Sequence, residues 1–122
     1  VMSKATTRTL QHLREHGFPA EVVEKWIPQA RRRKDLFDII DIVCLNPPYT
    51  LGVQSTTYSN ISSHVKKIKE SPVLKMLYDC KWRIIVYGWR KKNGRWIARR
   101  VEVLPNGETC ELQPGYMVPF PI

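Results

Sequence analysis

The stretch "LFDIIDIVCLNPPYTLGVQSTT", Leu36 to Thr57, constrains the fold most. Two runs rich in β-branched residues flank a turn with two consecutive prolines, which predicts an antiparallel hairpin with strands over Leu36–Leu45 and Leu51–Thr57. The first strand reads as buried on both faces, except that Asp41 stands between Ile40 and Ile42. Alternation puts Ile39, Asp41 and Val43 on one face, and Gly52, Gln54 and Thr56 on one face of the next strand. A tight hairpin can therefore set Asp41 beside Gln54. Burying a carboxylate is costly unless it is paired, hydrogen-bonded or bound to a metal. Either Asp41 pairs with Arg33 or Lys34 while Gln54 bonds the backbone, or the two side chains share a hard cation such as Mg²⁺ or Mn²⁺, which takes oxygen ligands. Glu24, on a preceding strand, can add a third oxygen or form an ion pair with a neighbouring Lys or Arg.

The flanking segments predict a mixed sheet with helices. "TTRTLQHLREHG" reads as a helix capped by Thr6 or Thr7 and ended by Gly17. "AEVVEKWI" alternates like a strand, and "PQARRRKD" reads as a basic loop. After the hairpin, "SNISSHVKKIKE" is helical with a cap at Ser59 and Ile61, Val65 and Ile68 on one face, and "SPVLKMLYDC" forms a second short helix. "KWRIIVYGWR" and "RWIARRVEVL" are strands joined at Asn93-Gly94, a strong hairpin signal. The order α-β-β-β-α(α)-β-β gives an α/β (α+β) class with helices flanking one sheet. Residues 1–104 form the domain, and 105–122, rich in proline and glycine, form a tail that wraps the surface or contacts a second subunit.

Charge narrows the partners. Lys and Arg number 20 against 11 acids, for a net charge of +9 on 122 residues. So basic a small domain points to a polyanion, usually nucleic acid. No apolar run approaches a membrane span, and the N-terminus lacks a signal-peptide pattern, so a cytoplasmic protein with no membrane partner is expected. Cys44, Cys80 and Cys110 share no metal-ligand spacing, which suits a reducing compartment. A nucleophile elbow, a P-loop and a dinucleotide fingerprint are absent.

An N-terminal helix, three strands, an acid in the second strand and a paired polar position on the third before a helix resemble the PD-(D/E)xK nuclease superfamily. That group includes restriction endonucleases and Holliday junction resolvases. The likeness runs from roughly Thr6 to Val103. "FDIIDIV" is similar to the strand that carries the metal-binding Asp, and "LGVQSTT" to the E-x-K strand, with Q-x-T in its place. The resemblance implies a restriction-endonuclease-like αβββαβ fold and a Mg²⁺-dependent (or Mn²⁺-dependent) endonuclease, a DNA hydrolase acting on phosphodiesters, with structure-specific, resolvase-like cutting as one form. It also implies a homodimer on two-fold DNA. Asp41 would ligate the metal, Gln54 would replace the second carboxylate, and the Ser55 carbonyl would be a backbone ligand. Thr56 stands where the family has its lysine, and Lys67 or Lys66 on the following helix can deliver that cation instead. A unit charge pair near 4 Å is worth about 4 kcal/mol at an effective dielectric of 20. Losing one carboxylate therefore weakens metal binding by orders of magnitude unless Glu24 compensates. Glu15 is the acid on the first helix, but it lies near that helix's C-terminal end.

Arg31, Arg32, Arg33 and Lys34, just before the Asp41 strand, can grip phosphates, as can Lys66 and Lys67; otherwise they are solvated surface. "GWRKKNGRWIARR" interleaves Trp89 and Trp96 with cations, a mixture that suits single strands, although tryptophans also pack in sheets. His12, His16 and His64 read as surface or cap residues. The alternatives to a nuclease are a nucleic-acid-binding module whose altered site no longer cuts, and an RNA-associated protein in which the charge is the sole signal.

Overall fold

The hairpin at the double proline forms, and it lies inside a larger sheet. In the computed structural model, which describes residues 3–113, β4 (Ile42–Asn46) and β5 (Tyr49–Thr57) pair antiparallel across Pro47-Pro48. β1 (Ala20–Val22) lies outside β4, and β6 (Trp82–Lys92) runs parallel to β5 on its other side. β7 (Arg95–Val103) and β8 (Thr109–Leu112) complete a six-stranded mixed sheet of order β1-β4-β5-β6-β7-β8. A parallel pair needs a crossover, and α2 (Ile61–Lys69) with α3 (Leu74–Asp79) supplies it between β5 and β6. The chain is thus a mixed α+β protein. Among the described residues, no helix is long and apolar enough to cross a membrane.

Each sheet face has its own core. On one side α1 (Lys4–Glu15) lays Leu10 and Leu13 over Ile42, Cys44, Leu51, Val53, Ile85 and Tyr87. On the other, Ile61, Val65 and Ile68 of α2 cover Ile40, Ile84 and Val86. β5 and β6 are covered on both faces, so Leu51–Thr56 and Arg83–Trp89 are buried without alternation, as expected of central strands. Gly88 is where α2 starts: a Cβ there would stand 2.4 Å from the Ile61 side chain, so a glycine lets the helix N-terminus sit on the sheet.

Several boundaries differ from the sequence expectation. Ser3 caps α1, its hydroxyl accepting from the Thr6 N–H, and Thr6 itself is buried. Asn60, not Ser59, precedes α2, after a 3-10 turn over Tyr58–Asn60. "AEVVEKWI" divides at Val23-Glu24 into β1 and β2 (Lys25–Ile27), because β2 leaves the sheet to pair with β3 (Arg32–Lys34), the centre of the expected basic loop. "LFDIIDIVCL" also divides. Leu36–Ile40 curls into a turn with Phe37 and Asp38 at positive φ, burying Ile39 and Ile40 against the α2 side, and the strand proper starts at Ile42. Part of the 105–122 segment is β8 on the sheet edge. Residues 114–122, with "YMVPFPI", lie outside the described residues.

Candidate functional site

The register of β4 on β5 pairs Ile42 with Val53, and the Asp41 N–H donates to the Val53 carbonyl at 2.9 Å. Asp41 and Gln54 are therefore neighbours on the α2 face. The Gln54 amide, Nε2, donates to Asp41 Oδ1 at 2.9 Å, and the Ser55 N–H donates to Asp41 Oδ2 at 2.8 Å. In an extended strand the N–H and carbonyl of one residue leave on the same edge, so the Ser55 carbonyl also faces the Asp41 side of β5. The expected pairing is present, and no ion pair to Arg33 or Lys34 replaces it.

Two more acids join this pair. β1 abuts β4, and the Val23 N–H donates to the Asp41 carbonyl at 2.8 Å, which carries Glu24 alongside. The Leu36–Ile40 turn folds Asp35 back toward Asp41. Carboxylate oxygens of Glu24, Asp35 and Asp41 all lie within 4.8 Å of one another. Asp35 Oδ2 also accepts from Gln54 Nε2 at 3.1 Å and lies 3.8 Å from Lys67 Nζ on α2. Glu24 is ion-paired to Arg33, so that residue faces the acids, while Arg31, Arg32 and Lys34 are exposed on the β2–β3 hairpin. Lys66 is exposed, one position from the lysine that reaches the site.

The electrostatics follow from the packing. Asp41 is 4% exposed, and its carboxyl is pushed up to about 8, first by burial, then by sharing a hydrogen bond with Asp35 and by the charges of Asp35 and Glu24; the Ser55 N–H opposes this. Like charges crowded into a poorly solvated site disfavour ionisation. Gln54 is 3% exposed. It donates both amide hydrogens to carboxylates, while its Oε1 is buried without a hydrogen-bond partner.

No protein family, curated protein or solved structure matches the chain. The donor set must therefore speak for itself. The three carboxylates form an all-oxygen group, which suits a hard divalent cation rather than zinc or copper.

Sequence reasoning missed two members. Asp35 was hidden at the end of a basic run, and only the tight turn after it brings it to Asp41. His64 lies on α2 one turn before Lys67. Its Nδ1 is buried without a partner, and its pKa is lowered by burial and then by Lys67, so the ring is neutral at pH 7. Its position three residues before Lys67 was the available signal, since residues so spaced share a helix face. Glu15, exposed and bonded to Gln11, takes no part.

Proposed function

We propose that the chain is a Mg²⁺-dependent DNA endonuclease with a site of the PD-(D/E)xK kind, acting on phosphodiesters in a restriction-endonuclease-like fold. One observation carries this: Glu24, Asp35 and Asp41 gather around a buried, half-unpartnered glutamine with a lysine at their edge. Asp35 replaces the charge that Gln54 lacks. Asp41, Asp35 and Glu24 would hold the cation, with the Ser55 carbonyl as a neutral oxygen. Gln54 Oε1 would be another once its amide turns over, since Nε2 is the atom that now faces the acids. A bound Mg²⁺ supplies charge for the scissile phosphate and lowers the pKa of an attacking water. Lys67 brings an ammonium to the rim from α2, where the family strand would bring it from the Thr56 position. Its side chain is 52% exposed, so it can reach a phosphate as well as Asp35. Arg31, Arg32 and Lys34 stand on the adjoining hairpin to hold the DNA backbone without reading sequence.

The test is incubation of purified protein with linear, forked and four-way DNA in Mg²⁺ or Mn²⁺. Cleavage that Asp41→Ala abolishes is the expected result. Intact DNA of every form removes the enzymatic claim.

A second reading has its own support. Gln54 and Arg33 already satisfy the acids without a cation, as in a binding module that does not cut. Calorimetry with Mn²⁺ separates the two: no heat of binding favours the module.

A further inference from the structure

The β6–β7 hairpin carries a second constellation. β5 ends beside Trp89, whereas β6 and β7 continue through the pairs Arg90↔Ile97, Lys91↔Trp96 and Lys92↔Arg95. Every residue from Arg90 to Ile97 is exposed, so these strands form an arm standing out from the sheet. Trp89, at its root, is buried and donates its indole N–H to Thr9 at 2.8 Å. Trp96 is different: it remains 46% exposed beside Ile97.

Aromatic rings and cations are interleaved here. The Arg8 guanidinium lies 3.7 Å from the centre of the Trp96 ring, and those of Arg90 and Arg99 lie 4.4 and 5.8 Å from that of Tyr58. A groove of about 600 Å³ opens at the base of the arm between Tyr58, Trp96 and Arg90. The acid in its wall, Glu111, is already held by Arg99 at 2.6 Å. Among the described residues, Arg8, Arg90, Lys91, Lys92 and Arg95 have no ion-pair partner. An exposed tryptophan within unneutralised cations has the chemistry of a base-stacking platform on a phosphate track. Paired bases inside a duplex keep their faces stacked on one another, and only the terminal pairs of a blunt duplex offer one to Trp96.

We propose that this arm and groove bind a single-stranded stretch of DNA, with an unpaired base stacked on Trp96 and adjacent phosphates held by Arg90, Lys91, Lys92 and Arg95. Arg90 follows Val86, the β6 partner of Gln54, by four positions. The arm thus begins roughly 13 Å along the strand from the acidic site, with Trp96 on the α1 face of the sheet and the acids on the α2 face. This assignment rests on DNA as the partner but not on hydrolysis.

The test measures binding of the full chain, in EDTA, to fluorescein-labelled oligo(dT) and to a blunt duplex. Trp96→Ala should weaken strand binding about tenfold or more and duplex binding less than twofold, and Trp96→Phe should recover most of that affinity. Lys92→Ala with Arg95→Ala should flatten the dependence of log Kd on log salt by about 0.7 for each phosphate that is no longer neutralised. Strand affinity of natively folded Trp96→Ala (checked by circular dichroism) within twofold of the parent overturns the proposal. Trp96-dependent binding to acidic lipid vesicles without binding to the strand does so too. An inert acidic site shows separately, as uncut DNA in Mg²⁺ with metal-free strand binding intact.

Discussion

Replacing Asp41 by asparagine should stabilise the metal-free protein, increasingly so as the pH rises. The carboxyl is raised from 3.8 to about 8 by burial and neighbouring acids. Below pH 3.8 both folded and unfolded chains are protonated there, and stability is unaffected. Between 3.8 and about 8 the unfolded chain has released the proton that the folded chain keeps, so stability falls with pH by about 1.4 kcal/mol per unit. By pH 7 the sum is about 4 kcal/mol. Asp41→Asn matches the protonated acid in shape and has no proton to lose. Its oxygen can accept the Ser55 N–H, and its amide can donate to Gln54 Oε1 once the Gln54 amide turns over, which gives up the Gln54 bond to Asp35. One kcal/mol moves the Tm of a chain this size by about 3–5 °C, so the variant should melt on the order of 10 °C higher at pH 7 and close to the parent at pH 4. Thermal unfolding in EDTA across pH 4–8 measures the gap. A gap that does not widen with pH, or a variant less stable at pH 8, refutes the electrostatic reasoning. Mn²⁺ should narrow the gap: at one hundred times its Kd it stabilises the parent by about 2.7 kcal/mol and leaves the variant unmoved.

Gln54→Glu should remove both amide donors from Asp41 and Asp35 and add a like charge, lowering metal-free stability by about 2 kcal/mol or more, while calorimetry shows Mn²⁺ bound at least about tenfold tighter. Glu102→Ala should be far more damaging than an exposed ion-pair deletion such as Asp79→Ala. Arg83 and Glu102, each side chain 3% exposed, are bonded at 2.6 and 2.8 Å, and removing one partner of a buried pair costs about 3–5 kcal/mol; urea unfolding reads the difference.

The sequence by itself determined the elements whose signals are local. Double proline and Asn93-Gly94 set two hairpins, and the spacing of Ile61, Val65 and Ile68 set the buried face of α2. Alternation across the first hairpin put Asp41 beside Gln54, since pleating leaves side chains only two directions. Tertiary structure decided what local pattern does not encode. Only the packed sheet sends β2 and β3 away as a separate ribbon, and only the positive-φ turn at Phe37-Asp38 carries Asp35 back to Asp41. Which of two adjacent lysines reaches the acids was likewise settled by how α2 sits on Gly88. Charges that meet through space have no period along the chain. Their convergence depends on the few ångströms by which strands and helices pack, and that distance is fixed by the core.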